Sequence, residues 1–159
     1  MTVKEVDVSE VQSIVEAIIS EHGARKDEII PILIDINGEI GYVPASAMEM
    51  VSRELRVPRS QIFSVATFYQ MIATKPRGTH VVQFCESAPC HVAGGRQVWE
   101  ALLGELKIGP GESTSDGKWS LITTSCLGVC GVGPVILIDE DVFGNVTPDQ
   151  IPGILARYA

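Results

Sequence analysis

The sequence lacks any excess of basic residues. Its 12 Lys and Arg are outnumbered by 20 Asp and Glu, which gives a formal net charge of −8 and a pI near 4.8. Phosphate backbones and anionic lipid surfaces attract clusters of positive charge. Nucleic acid and membrane surfaces are therefore unfavourable partners, and an acidic surface favours solubility or a basic protein partner.

Long apolar runs are also missing. No stretch approaches the roughly 18 uninterrupted apolar residues that a membrane-spanning helix needs. The opening residues, MTVKEVDVSEV, do not show the basic region followed by an apolar stretch that is typical of a signal peptide. We expect a protein of the cytoplasm, or of the cytoplasmic face of a membrane complex, without direct insertion into the bilayer.

The common catalytic signatures are absent too. The sequence has no G-x-S-x-G nucleophile motif, no phosphate-binding P-loop and no G-x-G-x-x-G between a strand and a helix. We therefore expect no dinucleotide site and no catalysis by the chain alone.

What is present is enough apolar material for a folded core, at 45% hydrophobic and 20% charged residues. The hydrophobic period changes near residue 76. Residues 1–76 have a helical period, and the first helix is predicted to begin with a capping box of Ser9 and Gln12 and to end at Gly23. Three further helices, the last of them short, are predicted to start close to Asp27, Pro44 and Pro58.

Residues 77–159 have the pattern of a sheet with helices packed on it. A predicted strand at 79–84 ends on Cys85, and a second strand at 119–125 ends on Cys126. Between them lies a helix that we expect to close at Gly104 or Gly109, and after them come a hairpin (135–138 and 142–146) and a helix start at Thr147. The fold class is α+β, with a helical bundle followed by a domain similar in outline to thioredoxin.

The four cysteines form two close pairs. Four residues separate Cys85 from Cys90, and three separate Cys126 from Cys130. A [2Fe-2S] cluster needs four soft thiolate ligands, two on each iron, and loops of this length can wrap two thiolates around one iron. Cys90 is predicted at the start of a helix, and several glycines are expected to permit positive φ and to direct main-chain N–H groups at the sulfurs: Gly94, Gly95, Gly128, Gly131 and Gly133.

Three other interpretations of the cysteines compete with the cluster. A structural zinc site would usually pair cysteines two residues apart, and neither pair has that spacing. A thioredoxin-type catalytic disulfide would need C-x-x-C, which is absent. Four unrelated buried cysteines would not normally fall into two pairs, each in a glycine-rich loop after a strand. Zinc remains the main alternative, in a binding module without electron transfer.

Other polar and aromatic residues are given structural roles. His91, next to Cys90, is interpreted as an outer hydrogen-bond donor or a structural residue rather than a ligand. Thr67, Phe68 and Tyr69 are expected to pack in the core and to dock the helical unit onto the sheet, with partner contact as the second possibility. The acidic run from Asp139 to Asp141 is expected to be a solvated turn.

Together these residues resemble a known family, the thioredoxin-like [2Fe-2S] subunit (24-kDa type) of the NADH-dehydrogenase module of respiratory complex I. Its relatives occur in NAD(P)-linked, electron-bifurcating multisubunit hydrogenases and in formate dehydrogenases. The resemblance runs through four segments of this sequence: GYVP (41–44), VATFY (65–69), CESAPCHVAGG (85–95) and SCLGVCGVGPV (125–135).

The resemblance implies that Cys85, Cys90, Cys126 and Cys130 are all cluster ligands. It implies an electron-transfer protein whose partners are a flavoprotein subunit that binds FMN and NAD(H), and further iron-sulfur subunits. The expected mechanism is the exchange of single electrons with the partner's flavin, with no bond made or broken in a substrate. The expected domains are 1–76, helical, and 77–159, carrying the cluster.

Overall fold

The structure is a computed structural model that describes residues 7–158. Its contacts group the chain into two compact units that divide between Pro76 and Arg77. The helical unit, residues 7–76, contains four helices and a 3-10 turn at Lys26–Glu28. The helices are α1 (Val8–Glu21), α2 (Ile29–Ile40), α3 (Ala45–Leu55) and α4 (Arg59–Phe68).

The four helices were predicted, but some of their ends differ from the prediction. Helix α1 begins at Val8, so Ser9 lies inside it, and the Ser9 hydroxyl donates to the Asp7 carboxylate at 2.9 Å. The predicted capping box is therefore wrong. The fourth helix is also longer than predicted, because it continues to Phe68.

The core of the helical unit is made by one apolar face of each helix. Tyr69 packs partly against this core. Phe68 does not, because its side chain is 78% exposed. The core role that the sequence suggested for Phe68 is wrong. The largest side chains that are fully buried in this unit are Ile32, Leu33, Ile36 and Ile62.

The second unit, the sheet unit of residues 77–158, is built on a mixed five-stranded sheet. The strands are β1 (His80–Cys85), β2 (Glu112–Ser113), β3 (Trp119–Thr124), β4 (Ile136–Ile138) and β5 (Asp141–Phe143). Their order in the sheet is β2-β3-β1-β4-β5. The central strand β1 pairs in parallel with β3 and antiparallel with β4. This arrangement confirms the α+β class.

Three helices accompany this sheet: the single turn α5 (Ala88–Cys90), α6 (Arg96–Leu106) and α7 (Ile151–Leu155). Helix α6 ends at Leu106 because the next residue, Lys107, adopts the left-handed conformation, and not at Gly104 or Gly109 as predicted. Before α7, the predicted start at Thr147 is confirmed, since Thr147 and Gln150 form a capping box. The buried face of α6 consists of Val98, Leu102 and Leu106.

The acidic turn between β4 and β5 is not simply solvated. Asp139 accepts a hydrogen bond from the main-chain N–H of Val81 at 2.9 Å and pairs with Nδ1 of His80 at 2.7 Å. The hydroxyl of Tyr158 donates to Asp141 at 2.5 Å. Burial, together with Asp141, raises the pKa of Tyr158 to about 12. These carboxylates therefore fasten the hairpin to β1 and to the C-terminal turn.

Across residues 7–158, no helix combines the length and the apolar character needed to cross a membrane.

Candidate functional site

The site is created by the parallel pairing of β1 and β3. Cys85 is the last residue of β1 and lies opposite Thr124, the last residue of β3. Because parallel strands end at the same edge of a sheet, the loops that follow them meet there. One loop carries Cys85 and Cys90, and the other carries Cys126 and Cys130.

The second cysteine of each pair lies in a short helical turn. Cys90 ends α5 and is followed by a π-helical turn at His91–Gly95, in which Gly94 adopts φ +105°. Helix α6 begins only at Arg96 because this left-handed residue interrupts the helix. Cys90 therefore lies in the first helical turn after β1, as predicted, although the longer helix α6 begins only six residues later. Cys130 begins a 3-10 turn that extends to Val132.

All four cysteines line a single shallow recess. None of them forms a disulfide. The sulfurs of Cys126 and Cys130 are 3.8 Å apart. The remaining lining residues are Leu127, Gly128, Val129 and Val135.

The two pairs differ in their access to solvent. Cys85 and Cys90 are each only 1% exposed, whereas Cys126 and Cys130 lie at the surface. Beside the exposed pair, Val129 also faces solvent. The recess therefore has a buried side formed by the first pair and an open side formed by the second.

Main-chain N–H groups are directed at the sulfurs. The N–H of Gly128 donates to Cys126 Sγ at 3.3 Å. The N–H groups of Ser87 and Leu127 hydrogen-bond with Cys85, and that of Val135 hydrogen-bonds with Cys90. Only one of these four donors is a glycine. Sequence reasoning missed the other three because any residue's backbone can donate, so the residue type gives no signal.

In each pair one thiol has a lowered pKa and the other a raised one. Burial acts to raise the pKa of Cys85, but the N–H donors of Ser87 and Leu127 outweigh it, and the net shift is downward. The N–H of Gly128 is the main cause of the lowered pKa of Cys126.

The partner thiols shift upward. Burial and the hydrogen bond with Cys85 raise the pKa of Cys90, and the hydrogen bond with Cys126 raises that of Cys130. Each sulfur therefore interacts with the other member of its own sequence pair. A bound metal would take the place of the remaining thiol protons.

The glycines of the loops act in two ways. Gly94 and Gly128 adopt the positive φ that was predicted. Gly95, Gly131 and Gly133 do not, but two of them leave space for Cys90. A β-carbon at Gly95 would lie 2.7 Å from the Cys90 carbonyl oxygen, and one at Gly133 would lie 3.3 Å from Cys90 Sγ.

The residues present fit a [2Fe-2S] cluster. The donor set of the recess is four sulfurs in two pairs, held close to backbone donors, as such a cluster needs. Within residues 7–158, no three His, Cys, Asp or Glu side chains are grouped so that they could hold one metal ion. A [2Fe-2S] cluster distributes its four ligands over two irons, so ligand pairs are the relevant feature.

The histidines lie apart from the four sulfurs. His91 is exposed and lines a separate recess with Phe84, Trp99 and Arg96. His80 pairs with Asp139 at the opposite end of β1 from Cys85. In neither case does the imidazole line the cysteine recess.

The chain is similar to components of known redox enzymes. It is 42% identical to a subunit of the NADH-quinone oxidoreductase of Escherichia coli (strain K12) over 118 residues, which cover 74% of this chain and 71% of that protein. It is 33% identical to HndA, a subunit of the NADP-reducing hydrogenase of Solidesulfovibrio fructosivorans, over 134 residues, which cover 84% of this chain and 78% of that protein.

A solved structure shares the fold. A chain in the crystal structure of an NAD+-reducing [NiFe]-hydrogenase in the air-oxidized state aligns with a TM-score of 0.67 at 20% identity. The alignment covers 82% of this chain but only 22% of the hydrogenase chain. The family model of the thioredoxin-like [2Fe-2S] ferredoxins matches residues 15–159. Since this match extends over almost the whole sequence, the chain belongs to the thioredoxin-like [2Fe-2S] ferredoxin family.

Proposed function

We propose that Cys85, Cys90, Cys126 and Cys130 hold a [2Fe-2S] cluster through which this chain carries electrons within a larger NAD(P)H-linked complex. The observation that supports this proposal most directly is that all four cysteines, from two distant segments of the chain, line one recess. When bound there, a [2Fe-2S] cluster takes up and releases one electron at a time.

The chain's own residues would hold the cluster and stabilise its negative charge. The four thiolates supply the ligands, and the N–H groups of Leu127, Gly128 and Val135 offset the charge on the sulfurs. Buried Cys85 and Cys90 shield one side of the site from water. Electron exchange with a partner would occur on the side of Cys126 and Cys130, since these are exposed.

The partner that we propose is a flavoprotein subunit that binds FMN and NAD(H), accompanied by further iron-sulfur subunits. Two relatives are named as subunits of an NADH-quinone oxidoreductase and of an NADP-reducing hydrogenase. A hydride donor delivers two electrons together, and a flavin can pass them on singly. The sequence of this chain contains no dinucleotide or phosphate-binding motif of its own, so a separate flavin-binding protein would supply this step.

The two compact units are proposed to be separate domains, with the cluster in residues 77–159 and a partner-binding role for residues 1–76. The proposed location is the cytoplasm or the cytoplasmic face of a membrane complex. The alternative of a zinc-stabilised binding module is not favoured, because the family to which the chain belongs is one of [2Fe-2S] ferredoxins.

The test is to purify the protein anaerobically from cells supplied with iron. We expect a brown protein with two irons and two inorganic sulfides per chain, and with the EPR signal of one reduced [2Fe-2S] cluster. NAD(P)H alone should not reduce it, whereas NAD(P)H with the flavoprotein subunit should. A colourless protein with stoichiometric zinc would refute the cluster, and rapid reduction by NAD(P)H alone would refute the need for a flavoprotein.

A further inference from the structure

The three residues that follow β5, 144–146, are joined to the second cysteine loop by main-chain hydrogen bonds. The N–H of Asn145 donates to the carbonyl of Val132 at 2.6 Å, and the N–H of Val146 donates to the carbonyl of Pro134 at 3.1 Å. We call residues 144–146 the clasp. These two hydrogen bonds fasten the loop to the edge hairpin of the sheet.

The approach of the clasp to the loop is close because residue 144 is a glycine. A β-carbon on Gly144 would lie 2.8 Å from Val132 Cγ2, 2.9 Å from Val132 Cβ and 3.0 Å from the Val132 carbonyl oxygen. Gly144 does not adopt a positive φ, so it is the space, and not the backbone conformation, that calls for glycine here. Two of these three atoms are bonded directly to the main chain, and a larger residue at 144 would therefore displace the main chain of Val132.

The clasp is fixed more firmly than the loop that it holds. Val146 is only 2% exposed and belongs to the core of the sheet unit. Asn145 adopts a left-handed conformation, φ +51°, which asparagine tolerates better than most residues. Val132, in contrast, is 42% exposed. When the two are crowded together, we therefore expect the loop to move and the clasp to stay in place.

A movement of Val132 reaches Cys130 through the 3-10 turn that contains both residues. The N–H of Val132 donates to the carbonyl of Val129 at 3.1 Å, and the N–H of Gly133 donates to the carbonyl of Cys130 at 3.2 Å. The turn is therefore hydrogen-bonded at both of its ends and moves as a unit. Cys130 Sγ lies 3.8 Å from Cys126 Sγ, and a shift of the turn changes this spacing.

We propose that Gly144 is a positioning residue, through which the clasp sets the position of Cys130 as a cluster ligand. The proposal rests on the proposed function, because it assigns how one of the four proposed ligands is held. Gly144 acts through Val132, by allowing the clasp and the turn to approach closely. Contacts behind a metal ligand fix its orientation and with it the affinity and the electronic properties of the site.

The experiment compares Gly144→Ala with two other Gly→Ala substitutions in the sheet unit of the full chain. Gly78→Ala is crowded to a similar degree, 2.7 Å from the carbonyl carbon of Trp119, but at the opposite end of β1 from the cysteine loops. Gly153→Ala lies in α7, where a β-carbon would meet nothing within 4 Å. EPR g-values, midpoint potential, the rate of iron removal by a chelator and far-UV circular dichroism are recorded for each anaerobically purified protein.

Gly144→Ala should lose iron to the chelator about tenfold faster than wild type, as is typical when a contact behind a metal ligand is changed. Its EPR g-values and midpoint potential should also shift. Gly78→Ala should be less stable to urea but keep the wild-type g-values and potential, and Gly153→Ala should match wild type throughout. Isolation of Gly144→Ala without a cluster, when it has wild-type circular dichroism and Gly78→Ala retains its cluster, would equally support the proposal.

A second variant tests the same contact without crowding. Val132→Ala removes the methyl groups that face Gly144 and leaves the main chain unchanged, and the exposure of Val132 means that the core is little affected. It loosens the turn against the clasp, so iron removal should again be faster and the EPR g-values should shift. This variant decides the question if Gly144→Ala does not fold.

Two results would overturn the positioning role while leaving the proposed function in place. One is that Gly144→Ala and Val132→Ala both show the g-values, potential and iron-removal rate of wild type. The other is that Gly78→Ala changes these properties, or loses the cluster, as much as Gly144→Ala does, which would assign the effect to general destabilisation of the sheet unit. A wild-type chain that holds no iron-sulfur cluster would instead refute the proposed function itself.

Discussion

A β-carbon on Gly78 would lie 2.7 Å from the carbonyl carbon of Trp119 and 2.8 Å from its nitrogen. The N–H of Gly78 donates to the hydroxyl of Ser120 at 2.6 Å. The main chain of Trp119 cannot move away from Gly78 without disturbing the pairing of His80 with Trp119, where β1 and β3 begin. Glycine at this position therefore sets how closely the two strands that lead to the cysteines can approach.

We expect Gly78→Ala to destabilise the sheet unit by about 1–3 kcal/mol, the usual cost of overpacking. The measurement is urea unfolding followed by tryptophan fluorescence, because Trp99 and Trp119 are the only tryptophans. The control is Gly104→Ala in α6, where a β-carbon would meet nothing within 4 Å, and this substitution should stabilise the helix by about 0.5–1 kcal/mol. Equal stability of Gly78→Ala and wild type would show that the strands can separate at little cost.

Cys126→Ser tests the exposed side of the recess. Serine leaves an iron with three thiolates and one harder oxygen ligand, so we expect loss of the cluster or an altered EPR signal. Because Cys126 is at the surface, the substitution should not disturb the core. Ser125→Ala changes the neighbouring side chain and should keep the wild-type spectrum. An unchanged spectrum in Cys126→Ser would remove Cys126 from the ligand set.

The Ser87 hydroxyl contributes to the lowered pKa of both Cys85 and Cys126, so it can donate to a sulfur of either cysteine pair, one at a time. Donors to ligand sulfurs stabilise the more negative, reduced state of a cluster. Ser87→Ala should therefore lower the midpoint potential by tens of millivolts, as measured by EPR-monitored titration. Ser87→Thr keeps a hydroxyl and should remain close to wild type. A potential that is the same in all three proteins would argue against a role for this hydroxyl.

A fragment that begins at Arg77 tests the proposed division of the chain. All four cysteines lie in this part, and the iron-thiolate bonds should supply stability that a core of this size provides only marginally. We expect the fragment to retain its cluster and to lose stable association with the flavoprotein subunit, as judged by iron content and co-purification. A fragment that cannot hold iron would show that the two units are not independent domains, and one that assembles normally would show that the helical unit has no docking role.

His22 provides a pH-dependent contact in the helical unit. Its Nε2 lies 2.7 Å from Asp35 and its Nδ1 lies 3.3 Å from Glu28, which also pairs with Arg25. The hydrogen bond with Asp35 is the largest cause of a raised pKa for His22. Because the pKa in the folded state is above the unfolded value, the stabilisation is complete below about pH 6.5 and is lost as the pH rises through the folded pKa.

We expect His22→Gln to lower the free energy of unfolding by about 0.5–1 kcal/mol at about pH 5–6, since the partly exposed carboxylates are screened by solvent. The difference from wild type should shrink at alkaline pH. Urea unfolding followed by far-UV circular dichroism at several pH values measures this, and Asp35→Asn in a double-mutant cycle isolates the pair. A difference that does not vary with pH would mean that the ion pairs do not stabilise the fold.

The positions of the helices and strands follow closely from the sequence, because hydrophobic period and flanking Gly and Pro act over only a few residues. The strand that ends on Cys85 and the hairpin around Asp139 were both predicted. The helix ends were less predictable. Arg96 begins α6 only because Gly94 adopts a left-handed conformation within a π-helical turn, and the sequence pattern does not distinguish such a turn from an ordinary helix.

By itself, the sequence determined the identity and spacing of the four cysteines, the α+β class and the family, because each of these is recorded in local residue order. Only the tertiary structure decided that Cys85 and Cys90 are buried while Cys126 and Cys130 are exposed. The parallel pairing of two strands about 40 residues apart in the sequence brings their two loops together at one edge of the sheet, and the strand that ends on Cys85 is the central one. The tertiary structure also decided which main-chain groups donate to the sulfurs, because a backbone N–H has the same chemistry at almost every residue and its direction is fixed only when the chain folds.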